Sequence, residues 1–179
     1  MYHFEHKVIP ILNLLRTLRS CIEAQFDTAN GQFHSSSYHA YRGRSIMHKA
    51  IRFHEFGNPD VLRWENVDVN DPGPGEARIR HEAIGVNYVD IYQRSGMYKV
   101  PLPAIAGNEG SGVVEAVGEG VTLVKPGDRV AYAGGAGSYC EVRTISADRL
   151  CILPDELTFE QGAAMMLKGL TVRVVHSGG

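Results

Sequence analysis

From Met47 onward, apolar and polar residues alternate in short runs punctuated by glycine and proline. Strict alternation, or a short apolar run bounded by turn residues, is the signature of a strand. On that basis Ile51-Arg52-Phe53, Val61-Leu62-Arg63-Trp64-Glu65 and residues 77–86, 112–117, 130–133 and 139–145 are predicted strands. Pro72-Gly73-Pro74-Gly75 breaks the chain between the second and third. Pro126-Gly127 suits the two central positions of a type II turn, the second of which needs positive φ. Helices are few: residues 87–94 form a short one stopped by Gly96, with Asn87 suited to its N-cap. Thr158-Phe159-Glu160-Gln161 has the spacing of a capping box and opens the alanine-rich segment 162–167. Many short strands with Gly/Pro turns predict a mainly β fold with a few short helices, a small barrel or sandwich.

The pattern differs before Met47. Residues 30–39 are polar and have no period, and residues 1–46 are expected to be an irregular or disordered extension, either a misassigned upstream stretch or a loose leader. Residues 8–22 carry Ile11, Leu12, Leu15 and Leu18 at near-helical spacing, interrupted by Pro10, Asn13, Arg16 and Arg19. That is too broken for a secretory signal core, while an organelle-targeting peptide stays open. No run approaches the ~18 apolar residues of a membrane span.

Composition narrows the function classes. Hydrophobic residues make up 44% of the 179 residues, enough for burial to drive folding. The net charge of −2 gives no basic surplus for nucleic acid and no acidic tail. Cys21, Cys140 and Cys151 are an odd, scattered set with no Cys-x-x-Cys pair, so a four-cysteine zinc lobe cannot be built. A reduced, cytoplasmic location is expected.

Three segments carry a family resemblance. Residues 83–98, Ala83-Ile84-Gly85-Val86-Asn87-Tyr88-Val89-Asp90-Ile91-Tyr92-Gln93-Arg94-Ser95-Gly96-Met97-Tyr98, closely resemble the catalytic domain of zinc-independent NADPH:quinone oxidoreductases of the zeta-crystallin type. So do Lys125-Pro126-Gly127-Asp128-Arg129-Val130 and Leu167-Lys168-Gly169-Leu170-Thr171-Val172, and the likeness runs in unbroken order from Met47 to Val172. These enzymes belong to the medium-chain dehydrogenase/reductase superfamily. The resemblance implies a GroES-like (chaperonin-10-like), partly open barrel over residues 47–171, with residues 172–179 a truncated start of the linking helix. The Rossmann domain expected to follow is absent from these residues. No strand leads through Gly-x-Gly-x-x-Gly into a helix. The clusters Gly134-Gly135-Ala136-Gly137 and Gly107 to Gly112 both run toward strand-like segments and are read as tight turns.

The run Gly107-Asn108-Glu109-Gly110-Ser111-Gly112 is similar to the loop of zinc alcohol dehydrogenases, with Asn108 in the slot of a zinc-binding histidine. Asn87 stands where those relatives carry a zinc-binding cysteine. A carboxamide is a poor zinc ligand, so no metal is expected. A quinone carbonyl accepts hydride without a Lewis acid, because reduction restores aromaticity; the protein supplies position, a dry cleft and hydrogen-bond donors. By family analogy Asn87, Asn108 and Thr171 contact the NADPH cofactor, and Tyr92 and Tyr98 line the quinone pocket. No catalytic residue is assigned. Asp90 and Glu109 are read as hydrogen-bond supports of the loop, Lys168 as a solvated or helix-terminal charge, and Trp64 as packing.

The expected function is the N-terminal domain of a quinone oxidoreductase-like enzyme, weakly active or inactive alone. The alternative is a non-catalytic fragment, or an interaction module that pairs with a separate nucleotide-binding domain. Met165, Met166, Leu167 and Leu170 are expected near an exposed face that promotes self-association, making a homo-oligomer possible.

Overall fold

The computed structural model describes residues 46–177, with side chains over residues 47–172. The expectations for residues 1–45, including the leader, lie outside the described residues.

Eight strands and two helices follow one another: β1 (Ile46–Phe53), β2 (Arg63–Val69), β3 (Glu76–Gly85), α1 (Tyr88–Ser95), β4 (Ala104–Ile105), β5 (Glu109–Val117), β6 (Arg129–Ala133), β7 (Val142–Ser146), β8 (Cys151–Ile152) and α2 (Phe159–Ser177). They form a three-stranded sheet, β2-β1-β4, and a five-stranded sheet, β7-β3-β5-β6-β8. Every pairing among the described strands is antiparallel. The mainly β class is therefore as expected.

The period-2 rule explains β3 directly. Ala77 and Ile79 turn into the core while Arg78 and Arg80 turn outward, where both pair with Glu115 on β5. The core gathers Ala77, Ile79, Val114, Val124, Val130, Tyr132, Ile145, Ala147 and Leu150. Each large aliphatic buried there contributes about 1.5–3 kcal/mol of transfer free energy. Glu109 to Gly112 of β5 are all buried, because β5 lies at the centre of its sheet and α2 packs across β3, β5 and β6.

The two sheets are stitched through Tyr139-Cys140-Glu141. Ile51 N–H donates to Tyr139 O at 2.7 Å, Glu141 N–H to Lys49 O at 2.9 Å and His81 N–H to Glu141 O at 2.9 Å.

Local signals held at several points. Lys125-Pro126-Gly127-Asp128 closes with a 3.1 Å Asp128 N–H to Lys125 O bond, and Gly127 has φ 91°. Thr158 and Gln161 form the reciprocal capping box, at 2.9 and 3.2 Å. Other expectations need correction. Pro59–Val61 is a 3-10 turn, so the second strand begins at Arg63 and not at Val61; Pro59 sets the φ of its first helical residue. Gly110 and Gly112 are not turn residues but lie inside β5, where a Cβ on Gly112 would stand 1.9 Å from the Arg80 carbonyl oxygen. Met166 is buried and Met165, Leu167 and Leu170 are half-buried, so the expected exposed patch is not built from them. α2 packs here against β3, β5 and β6 of the five-stranded sheet. Exposed apolar side chains cluster in sequence instead around α1, at Val86, Tyr88, Ile91, Met97 and Tyr98. α2 runs without interruption past residue 172.

Candidate active site

The site is assembled where β3 ends. Gly85 closes the strand, Asn87 caps α1, and Gly96 ends that helix with φ 81°. Asp90, in the first turn, accepts the backbone N–H of Asn87 at 2.9 Å. An acid placed there also meets the positive end of the helix dipole.

Asp90 is the hub of the first of two buried clusters. Besides Asn87 N–H it accepts Tyr139 Oη–H at 2.9 Å and Asn108 Nδ2–H at 2.7 Å. Asn108 also donates to Gln93 Oε1 at 3.0 Å. Both of its amide hydrogens are thus directed to partners on α1, which ties the loop before β5 to that helix. Burial, then the adjacent Asp90 carboxylate, raises the Tyr139 phenol well above its ordinary value. It stays a donor at physiological pH.

Glu109 anchors the second cluster and is fully buried, at 0% exposure. Its Oε2 accepts Asn87 Nδ2–H at 2.8 Å and its Oε1 accepts the Leu167 N–H of α2 at 2.8 Å. The Lys168 ammonium lies 3.7 Å from Oε2 and donates to Asn87 Oδ1 at 3.1 Å. Gly85 makes this junction possible. A Cβ there would stand 2.3 Å from Ala163 O and 2.5 Å from Glu109 Oε2. Asp90 and Glu109 therefore hold the loops by accepting hydrogen bonds, as read from the sequence.

The structure brings Asn87, Asn108 and the two carboxylates together. Tyr92 and Tyr98 form an edge-on pair, ring centroids 5.4 Å apart, clipped by a 2.9 Å Tyr98 N–H to Tyr92 O bond. Tyr92 is half-buried and Tyr98 is 54% exposed, so one ring supports the other at the surface. Thr171 lies one turn along α2 from Lys168, and its hydroxyl donates to the Leu167 carbonyl at 3.0 Å.

Two sequence readings change. Lys168, read as a solvated or helix-terminal charge, is solvated, with its side chain 62% exposed, but it sits within α2 and also reaches Asn87 and Glu109. Trp64 is 58% exposed and lines a groove of about 420 Å³ with Ile51, Ile84, Val86 and Tyr139, apart from the tyrosine pair. Gln93 and Tyr139 were missed. The signal for Gln93 was its position three residues after Asp90 on one helix face; Tyr139 carried none. Among the described residues no three His, Cys, Asp or Glu side chains converge as a metal-ligand group.

A separate polar cluster centres on His81 of β3. His81 Nδ1 is 2.7 Å from Cys140 O and Nε2 is 2.7 Å from Tyr132 Oη. Burial is the main cause that lowers the His81 pKa to about 4, so the ring is neutral at pH 7. The carbonyl requires a proton on Nδ1, which leaves Nε2 to accept from Tyr132. Burial likewise pushes the Cys140 thiol up to about 11.

Comparison with known proteins places this geometry. The alcohol dehydrogenase GroES-like domain family matches residues 73–168. The chain is 50% identical over 129 residues to a quinone oxidoreductase of Pseudomonas aeruginosa, covering 71% of this chain and 40% of that one. Its fold superposes on the quinone oxidoreductase of Pseudomonas syringae with a TM-score of 0.70 at 49% identity, covering 72% of this chain and 40% of the other. On the Escherichia coli quinone oxidoreductase complexed with NADPH the TM-score is 0.69 at 45% identity, covering 71% and 40%. The chain thus spans about 40% of the length of these relatives. No parallel mononucleotide-type sheet occurs among the described residues. With the matched residues running from the β2–β3 turn into α2, the chain belongs to the alcohol dehydrogenase GroES-like domain family, in its quinone oxidoreductase branch.

Proposed function

We propose that this chain supplies the acceptor-side wall of a zinc-independent, NADPH-dependent quinone reductase. The observation that carries the reading is the Asn87 carboxamide, fixed at the N-terminus of α1 between Glu109 and Lys168, with the Tyr92–Tyr98 pair on and just after the same helix. Asn87 uses one amide hydrogen on Glu109 and keeps a second donor. The tyrosines offer flat apolar faces for a planar ring and phenol donors for its carbonyls.

These groups fit the nicotinamide end of the cofactor, through amide donors and acceptors. They do not fit a pyrophosphate. The glycine turn at Gly134, Gly135 and Gly137, all with positive φ, leads toward β7 and not into a helix N-terminus. A nucleotide-binding domain, on the same or another polypeptide, would complete the cleft. The exposed apolar residues Val86, Tyr88, Ile91 and Met97 support a covered face near α1.

When bound, the reduced nicotinamide supplies a hydride, which with one proton from solvent converts quinone to hydroquinone and leaves NADP⁺. The protein's part is positional. Tyr92 and Tyr98 hold the acceptor ring, Asn87 orients the reacting partners, and Asn108 with Asp90 keeps α1 fixed to the loop before β5. Asn108 Oδ1 and Thr171 Oγ1, the latter already donating its hydrogen to the Leu167 carbonyl, meet the cofactor as hydrogen-bond acceptors. The buried thiol of Cys140 supports a reducing, cytoplasmic setting.

A tetramethyl-substituted quinone, which cannot alkylate thiols, tests the reading. Equilibrium dialysis against the chain should give saturable binding that Tyr92→Ala and Tyr98→Ala each weaken about tenfold, the loss of one stacked ring's contact energy. Binding that is indifferent to both substitutions overturns the assignment.

A further inference from the structure

The Asn87 carboxamide is held at both ends by charges from different elements. Glu109, on β5, takes its Nδ2–H at 2.8 Å, and Lys168, on α2, gives a hydrogen to its Oδ1 at 3.1 Å. A primary amide has nearly the same shape in its two flipped orientations, and only its partners decide between them. An acceptor on one side and an ammonium on the other admit a single orientation. The flipped amide would set Oδ1 against the Glu109 carboxylate and Nδ2 against the ammonium, both repulsive.

Glu109 is itself fixed. It is fully buried and its other oxygen takes the Leu167 N–H, the residue before Lys168. Leu167 N–H and Lys168 Nζ therefore present two adjacent donors of α2 to one carboxylate–carboxamide pair. Asn108 is held differently, with both amide hydrogens directed to acceptors on α1, Asp90 and Gln93. The Lys168 side chain is 62% exposed, so its charge is not required for packing.

We propose that Lys168 is a positioning residue for the reduction: through its bond to Asn87 Oδ1 it locks the amide flip, so the position of α2 sets the direction of the Asn87 donor that Glu109 leaves. The inference rests on the proposed acceptor site but concerns an arrangement that exists without quinone or NADPH. Lys168 does not touch the reacting atoms; it acts through Asn87. A shift of α2 would withdraw the ammonium and the Leu167 N–H together, and the amide would lose its lock.

The side-chain amide of Asn87 reports this directly in the ¹H–¹⁵N spectrum of the 179-residue protein. The wild type should show two resolved, slowly exchanging Asn87 side-chain protons. Lys168→Met should broaden that pair and speed its exchange with solvent at least about fivefold while leaving the backbone spectrum otherwise intact, since loss of the ammonium frees the amide flip. Lys168→Arg should restore it. When the chain is joined to the nucleotide-binding domain of the Escherichia coli relative, Lys168→Met should lower kcat about tenfold with little change in KM, the mark of lost orientation. An Asn87 pair unchanged in Lys168→Met, in shift and in exchange, overturns the inference. A lock seen by spectroscopy in a hybrid with no wild-type quinone turnover rejects the proposed activity and leaves the lock standing.

Discussion

Glu109 and Leu167, fifty-eight residues apart in sequence, meet through a 2.8 Å bond from the Leu167 N–H to Glu109 Oε1. A backbone amide in the body of a helix normally serves the carbonyl four residues back. Here it also faces a carboxylate from the central strand of the larger sheet, with Lys168 beside it as counter-charge. The bond fixes α2 to β5 at the same point where Asn87 is held, so helix docking and site geometry share one residue.

Removing that residue should therefore cost stability as well as order. Glu109→Ala leaves Asn87 Nδ2, Leu167 N–H and Lys168 without their common acceptor. A loss of about 2–4 kcal/mol is expected, the range for breaking a buried charged hub. The shift of the urea midpoint measures it, and a loss under about 0.5 kcal/mol, the range of neutral surface changes, contradicts the role assigned to Glu109.

Gly85 offers a sharper steric test. Gly85→Ala would bring Cβ to 2.3 Å from the Ala163 carbonyl oxygen, a backbone atom that cannot swing aside, and should destabilise by about 1–3 kcal/mol while loosening the Asn87 amide. Gly120→Ala is the control. Its φ is +79° but no atom lies within 4 Å of the added Cβ, so only the backbone cost of about 1 kcal/mol applies. Equal losses in the two variants, read by thermal melts, would remove the close-approach argument.

Acid should weaken the fold through His81. Its pKa falls from 6.5 to about 4 on burial, so the native state refuses a proton that the unfolded chain accepts. The unfolded state then binds more protons, and stability rises with pH across that window. The contribution is complete above pH 6.5 and is lost as pH falls toward about 4, amounting to about 3 kcal/mol at full loss. Urea midpoints between pH 7.5 and 4.5 should decline, and His81→Gln should flatten the decline. A slope unaltered by His81→Gln assigns it to other groups.

Calorimetry of the 179-residue chain with NADPH should give binding no tighter than about 1 mM, because the wall described here offers no pyrophosphate cradle. Micromolar binding would mean that a nucleotide site exists within these residues.

Much of this was legible in the sequence where structure is set locally. Asn87 and Gly96 bracket α1, Thr158 and Gln161 open α2, and Pro126-Gly127 makes its turn, because caps and turns depend on residues a few positions apart. β4 and β8, two residues each, were not legible, since their pairing with Arg52 and Phe53 and with Val130 and Ala131 defines them. The burial of Met166 depends on which face of α2 meets β5. The role of Lys168 depends on Asn87, eighty-one residues earlier, and no periodicity encodes that meeting.

The central claim is that these residues form the acceptor-side wall of a quinone reductase, and turnover of a hybrid tests it most directly. In the Escherichia coli quinone oxidoreductase, the matched N-terminal segment is replaced by this chain and NADPH-dependent quinone reduction is measured. The account predicts turnover that falls when Tyr98 or Asn87 is replaced by alanine. A folded hybrid that binds NADPH yet reduces no quinone contradicts it.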